Sequence, residues 1–121
     1  MTRIVLTVDD SRTMRDMLRI CLTQAGYQVE HAVDGQDGLD VLTRVRPDAI
    51  ISDINMPRLD GFGFIERVRA DPRCRSIPIL VLTTESDQSK KDRARSAGAT
   101  GWIVKPFEPA ALAAAIRRVA A

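Results

Sequence analysis

The sequence holds little of what most often marks an enzyme site. It has one histidine, His31, and two cysteines, Cys21 and Cys74. No Ser/His or Cys/His pair is recognisable, which sets aside nucleophilic catalysis of that kind. The cysteines lack metal-ligand spacing. Cys21 falls on an apolar helix stripe and reads as a small core hydrophobe. Cys74 stands in a polar loop between Arg73 and Arg75, surroundings that favour a lowered thiol pKa. There is no glycine-rich phosphate loop of the Walker or dinucleotide type. No apolar run nears the ~20 residues that span a bilayer. The N-terminus enters a strand directly, without a signal-peptide pattern. The expectation is a cytoplasmic protein with reduced thiols and no membrane partner. A dominant charge is missing too. Lys plus Arg number 18 against 16 Asp plus Glu, an excess of +2. That is too small to point to nucleic acid, and the arginines are scattered as on solvated helix faces.

What is there is a single alternating pattern. A chain of 121 residues reads as one domain, 1–121, with no separate output domain expected. It is long enough to bury roughly two-thirds of its unfolded surface. Residues 3–8 read as a strand. Ser11 caps a helix whose apolar stripe is Met14, Met17, Leu18, Cys21, Leu22 and Ala25, with Gly26 closing it. Residues 28–33 form a weaker strand, with Val29, His31 and Val33 alternating against Gln28, Glu30 and Ala32, as on a half-exposed edge. His31 is expected to be structural there. Residues 35–45 read as a helix with Leu39, Leu42 and Val45 inward, stopped by Pro47. Strand 48–52 follows, then helix 61–70 with Phe62, Ile65 and Val68 inward. Strand 77–82 precedes helix 87–97, which Gly98 closes. Strand 101–104 leads to helix 109–120, with Pro109 in its first turn and Leu112, Ala115, Ile116 and Val119 inward.

Five βα units with continuous apolar strands predict an α/β fold with one doubly wound, five-stranded parallel sheet and five helices. Placing the polar strand 28–33 at an edge gives the order 2-1-3-4-5, the flavodoxin-like arrangement. Helix 87–97 has only Ala94 and Ala97 as apolar residues. It is expected to be the least firmly docked element, and such elements are the ones that move.

Polar groups stand where the apolar runs stop. Asp9 and Asp10 follow the first run, Asp53 the third strand, Thr83 the fourth and Lys105 the fifth. A parallel sheet gathers these ends along one edge, and ligands bind where the strand order reverses. Carboxylates packed together repel unless a metal cation or a lysine neutralises them. Mg²⁺ takes hard oxygen ligands, which Asp9, Asp10, Asp53 and the backbone carbonyl of Asn55 are placed to offer. An ionised aspartate can itself attack phosphorus. Asp53, flanked by the others, is the nucleophile candidate. Lys105 and the Thr83 hydroxyl would steady the phosphoryl oxygens.

These residues resemble a known family. Val8-Asp9-Asp10-Ser11, Asp53-Ile54-Asn55-Met56-Pro57, Asp60-Gly61, Leu82-Thr83-Thr84 and Lys105-Pro106-Phe107 are similar to the receiver domain of two-component response regulators. The resemblance covers essentially the whole chain and leans to the stand-alone, CheY-like chemotaxis type, where Asn55 and Glu85 also fit. It implies that Asp53 accepts a phosphoryl group from a phosphohistidine domain of a CheA-like sensor histidine kinase. Asp10 would bind Mg²⁺ directly and Asp9 partly through water, with the Asn55 carbonyl completing the protein ligands. Lys105 would pair with the phosphoryl group, Lys105-Pro106 would be cis, and Asp60-Gly61 would shape the neighbouring turn. Thr83 and Trp102 would form the switch pair.

The resemblance further implies a monomeric phosphoacceptor switch, not an enzyme, that assists its own phosphorylation and autodephosphorylation. The face built from 87–97, 101–104 and 109–120 would be read by a target such as a flagellar motor switch protein, and a phosphatase would be a further partner. A phosphate sink, or a receiver outside chemotaxis, is the alternative output. The chain departs from the family pattern twice. Trp102 stands where Tyr or Phe is usual, and Thr84 where a small residue is usual. A small aspartyl-phosphate hydrolase is the reading from another class. Asn55 stands where such phosphatases carry a second Asp, and no cap insertion is present.

Overall fold

Strand and helix alternate five times in the computed structural model, which describes residues 2–120. In chain order they are β1 (Ile4–Val8), α1 (Arg12–Gln24), β2 (Gln28–Ala32), α2 (Gly35–Val41), β3 (Ala49–Ser52), α3 (Gly61–Ala70), β4 (Ile79–Thr83), α4 (Gln88–Ala97), β5 (Gly101–Val104) and α5 (Pro109–Val119). All pairings are parallel and the order is β2-β1-β3-β4-β5, as expected. The period of two along the strands divides the core. Leu6, Val8, Ile50, Ile79 and Val81 face α2, α3 and α4. Val5, Ile51, Leu80 and Leu82 face α1 and α5. Both faces are covered, so the central strands are continuously apolar.

The helix starts follow from local chemistry. Ser11, Asp34, Asp60, Asp87 and Glu108 each accept a backbone N–H of the first turn. α4 ends at Gly98, which takes a left-handed φ of 118°. α3 buries Phe62, Phe64, Ile65 and Val68, side chains that each contribute roughly 1.5–3 kcal/mol when fully buried. α4 buries only Ala94, so its docking is weak in the way its composition predicts.

Four local expectations are corrected. α2 stops at Val41, not at residue 45. Beyond it the N–H groups of Thr43 and Arg44 bond carbonyls three residues back, and the Thr43 hydroxyl donates to the Asp40 carbonyl. Leu39, Leu42 and Val45 do pack inward against the core, half-buried as expected of that face, and Val41 is the fully buried residue beside them. On β2, Ala32 is buried beside Val8 while Val33 lies past the strand end and is exposed. His31 is exposed and its Nδ1 lies 3.0 Å from the Thr7 hydroxyl. On α1, Met17 is exposed with Ile20, because the buried stripe runs through Leu18, Cys21 and Leu22. Cys74 is buried in a turn that brings it into the same core cluster as Val68 and Ile77. Burial pushes its thiol pKa up, opposite to the expectation from its arginine neighbours.

Candidate functional site

β1 and β3 are neighbours with Val8 opposite Ser52, so the residues after them meet. The Asp53 N–H donates to the Val8 carbonyl at 3.0 Å, carrying the pairing one residue beyond the strands. Asp9 is 2% exposed and Asp53 8%, whereas Asp10 faces solvent. One carboxylate oxygen from each of the three lies within 4.8 Å of the others. Lys105 follows β5 and its N–H donates to the Thr83 carbonyl at 2.7 Å. Its ammonium reaches across the sheet edge and donates to Asp9 Oδ2 and Asp53 Oδ2, both at 2.9 Å.

The remaining carboxylate oxygens are held by backbone. Asp9 Oδ1 accepts from the Ser11 N–H at 2.9 Å, and Asp53 Oδ1 from the Ile54 N–H at 2.6 Å. Gly61 closes the site from below. Its N–H donates to the Ile54 carbonyl at 2.8 Å, and a Cβ there would collide with the Asp53 carbonyl oxygen.

The electrostatics leave the site short of positive charge. Burial raises the Asp9 carboxyl pKa above its ordinary value, against the lowering pull of Lys105. Burial works to lower the Lys105 ammonium, but its hydrogen bonds to Asp9 and Asp53 outweigh this and its pKa is raised. Three carboxylates against one ammonium leave a deficit that a divalent cation would fill, and hard oxygen donors suit Mg²⁺. The residues present therefore fit that ion.

The predicted switch residues lie beside this cleft. Thr83 is fully buried and its hydroxyl accepts the Glu85 N–H at 3.4 Å. Thr84 is exposed. Trp102 is half-buried against the α3/α4 side of the core, and its indole N–H donates to the Glu85 carbonyl at 3.1 Å. The Glu85 carboxylate accepts from the Asn55 side-chain amide at 3.2 Å and pairs with Lys90 at 3.0 Å. Glu85 thus spans the cleft mouth, the start of α4 and the ring on β5. Lys105-Pro106 is cis. Asp60 caps α3. Sequence reasoning missed Asp34 and Arg58, which form an ion pair across 24 residues of chain. Asp34-Gly35 reads as a helix cap, but nothing in the spacing names Arg58 as its partner.

Fold and site together define a doubly wound α/β protein with an acidic crevice at its topological switch point. The chain belongs to the response regulator receiver domain family, which it matches over residues 5–117. It is 39% identical over 116 residues to the Rhizobium etli protein named Probable chemotaxis protein CheY, covering 95% of this chain and 90% of that one. The structure of Vibrio cholerae chemotaxis protein CheY4 superposes with a TM-score of 0.94 at 45% identity, covering 98% of this chain and 99% of that one. The receiver domain of a Pseudomonas aeruginosa sensor histidine kinase, solved with a magnesium ion coordinated in its active site cleft, gives 0.91 at 29% identity, with 99% and 98% coverage. The chain spans about half the length of several other curated relatives it matches. It is a CheY-like receiver of two-component signalling, a class of phosphoacceptor switches.

Proposed function

We propose that this receiver takes a phosphoryl group onto Asp53 from the phosphohistidine of a CheA-like sensor kinase and passes the change to a chemotaxis target such as a flagellar motor switch protein. The observation that carries the reading is the Lys105 ammonium at 2.9 Å from both Asp9 and Asp53. It holds Asp53 at the crevice edge with a cation already beside the oxygen that would attack phosphorus.

Asp9, Asp10, Asp53 and the Asn55 carbonyl would hold Mg²⁺, which when bound offsets charge on the phosphoryl oxygens. Asp53 Oδ1 stays fixed by the Ile54 N–H, which orients the carboxylate. Lys105 exchanges its contact with Asp53 Oδ2 for the incoming phosphoryl oxygens while keeping Asp9. Thr83 turns its hydroxyl from the Glu85 N–H toward the same group. Loss of that bond frees the β4–α4 loop, and Trp102 follows through its bond to the Glu85 carbonyl. The face of α4, β5 and α5 then differs between the two states, and this face is what the target reads. Thr84, exposed next to Thr83, narrows access for water and for a phosphatase.

The test is optical. Beryllofluoride with Mg²⁺ changes Trp102 fluorescence in the wild type, and Asp53→Asn abolishes the change. A wild type that shows no response overturns the switch.

A further inference from the structure

The loop from β3 to α3 carries Asn55 and is fastened from outside the crevice. Arg58 stands at its tip with a φ of 66°, the one positive φ at a non-glycine among the described residues. A side chain as large as arginine is disfavoured in that region. Something must hold it there, and the contacts identify what. Its guanidinium grips Asp34 with two hydrogen bonds, Nε to Oδ2 at 2.7 Å and Nη2 to Oδ1 at 3.1 Å. The Asp34 side chain is 6% exposed and that of Arg58 is 58% exposed. The clip is therefore anchored on a buried acceptor and closed from the solvent side.

Asp34 is itself buried and hydrogen-bonded. Its Oδ1 accepts the Asp37 N–H at 2.8 Å and caps α2. The backbone repeats the tie one residue on, where the Gly35 N–H donates to the Leu59 carbonyl at 3.1 Å. At the root of the loop the Gly61 N–H holds the Ile54 carbonyl. The stretch 54–60 is thus pinned at both ends, with Asn55 between the pins.

We propose that Arg58 and Asp34 form a clip that sets the position of the Asn55 stretch, making Arg58 a positioning residue for divalent-cation binding. The proposal rests on the reading that Mg²⁺ is held by the three aspartates and the Asn55 carbonyl. A carbonyl ligand on a loose loop loses conformational freedom when the ion binds, and that loss weakens affinity. A loop pinned beforehand avoids it. The clip touches neither the ion nor the three carboxylates, so it acts through the backbone alone.

Titration calorimetry with MgCl₂ tests this on the full chain. Arg58→Asn keeps a residue tolerant of the left-handed region and removes the fork. Asp34→Ser keeps the helix cap and removes the fork's acceptor. Each is expected to weaken Mg²⁺ binding on the order of tenfold, as outer-shell partners of metal sites do. The double variant is expected to bind no worse than the weaker single, because both cut one tie. Arg58→Gly relieves the backbone strain as well. It is expected to melt in EDTA at or above the wild-type temperature while still losing affinity, a split that a merely structural role does not produce. Unchanged Mg²⁺ affinity in the folded variants overturns the clip and leaves the metal reading standing. A wild type that binds no Mg²⁺ overturns the metal reading and the clip with it.

Discussion

Asp10 is the exposed member of the carboxylate trio, and Lys105 bonds only the other two. Its charge is repelled without a compensating partner until a cation arrives. Asp10→Asn is therefore expected to raise the melting temperature in EDTA. The same change is expected to weaken Mg²⁺ binding by at least the ~10-fold that outer-shell partners carry. An unchanged melting temperature without metal counts against the repulsion. At this scale the sequence was most informative. Asp9, Asp10, Asp53, Thr83 and Lys105 each end an apolar run, and a parallel sheet leaves such ends nowhere else to go. Arg58 was not legible, because its partner is fixed by where two loops meet and not by spacing along the chain.

Among the elements, α4 is held unevenly. Its C-terminal end is clasped by Arg69, which donates to the Gly98 carbonyl at 2.9 Å and to the Ile77 carbonyl at 2.6 Å. Its middle carries Arg93 over the Phe62 ring at 4.1 Å. Its first turns are tied by the Glu85–Lys90 pair, whose side chains are both partly in water and which contributes little. Hydrogen exchange is expected to be fastest in the first half of α4, slower in its last turn and slowest in α3. Protection of α4 equal to that of α3 would remove it as the moving element. The weakness of α4 was readable from its two alanines. The clasp was not, because Arg69 lies on α3 and meets carbonyls from two separate stretches, Arg75 and Ile77 before β4 and Gly98 after α4. Likewise the composition of residues 35–45 suits a helix throughout, yet α2 stops at Val41 where turn hydrogen bonds take over.

For the molecule as a whole, the Arg58–Asp34 pair is one contributor to the acid limb of stability, beside the Asp71 and Glu85 carboxyls that Arg73 and Lys90 hold low. The Arg58 hydrogen bonds hold the Asp34 carboxyl below its ordinary value of 3.8. On acidification the unfolded chain takes up this proton first, so stability rises with pH across the window between the two values. The pair's contribution is complete above the ordinary value and is lost as pH falls through the lower folded one. Arg58→Asn is expected to lose melting temperature less steeply than the wild type over roughly pH 2–5. Parallel curves for the two proteins would show that the pair carries no such linkage. Exposure of the guanidinium keeps the effect modest.

The sequence by itself determined the strand–helix alternation, the strand order and the gathering of three carboxylates with one ammonium at the sheet edge. These follow from periodicity and from the ends of apolar runs, which are local properties of the chain. Only the tertiary structure decided that Cys74 is buried, that Met17 and Val33 face water, and that Trp102 is tied to the Glu85 carbonyl. It alone brought Arg58 to Asp34. Each of those outcomes depends on which distant segment supplies the neighbouring surface, and sequence spacing does not contain that information.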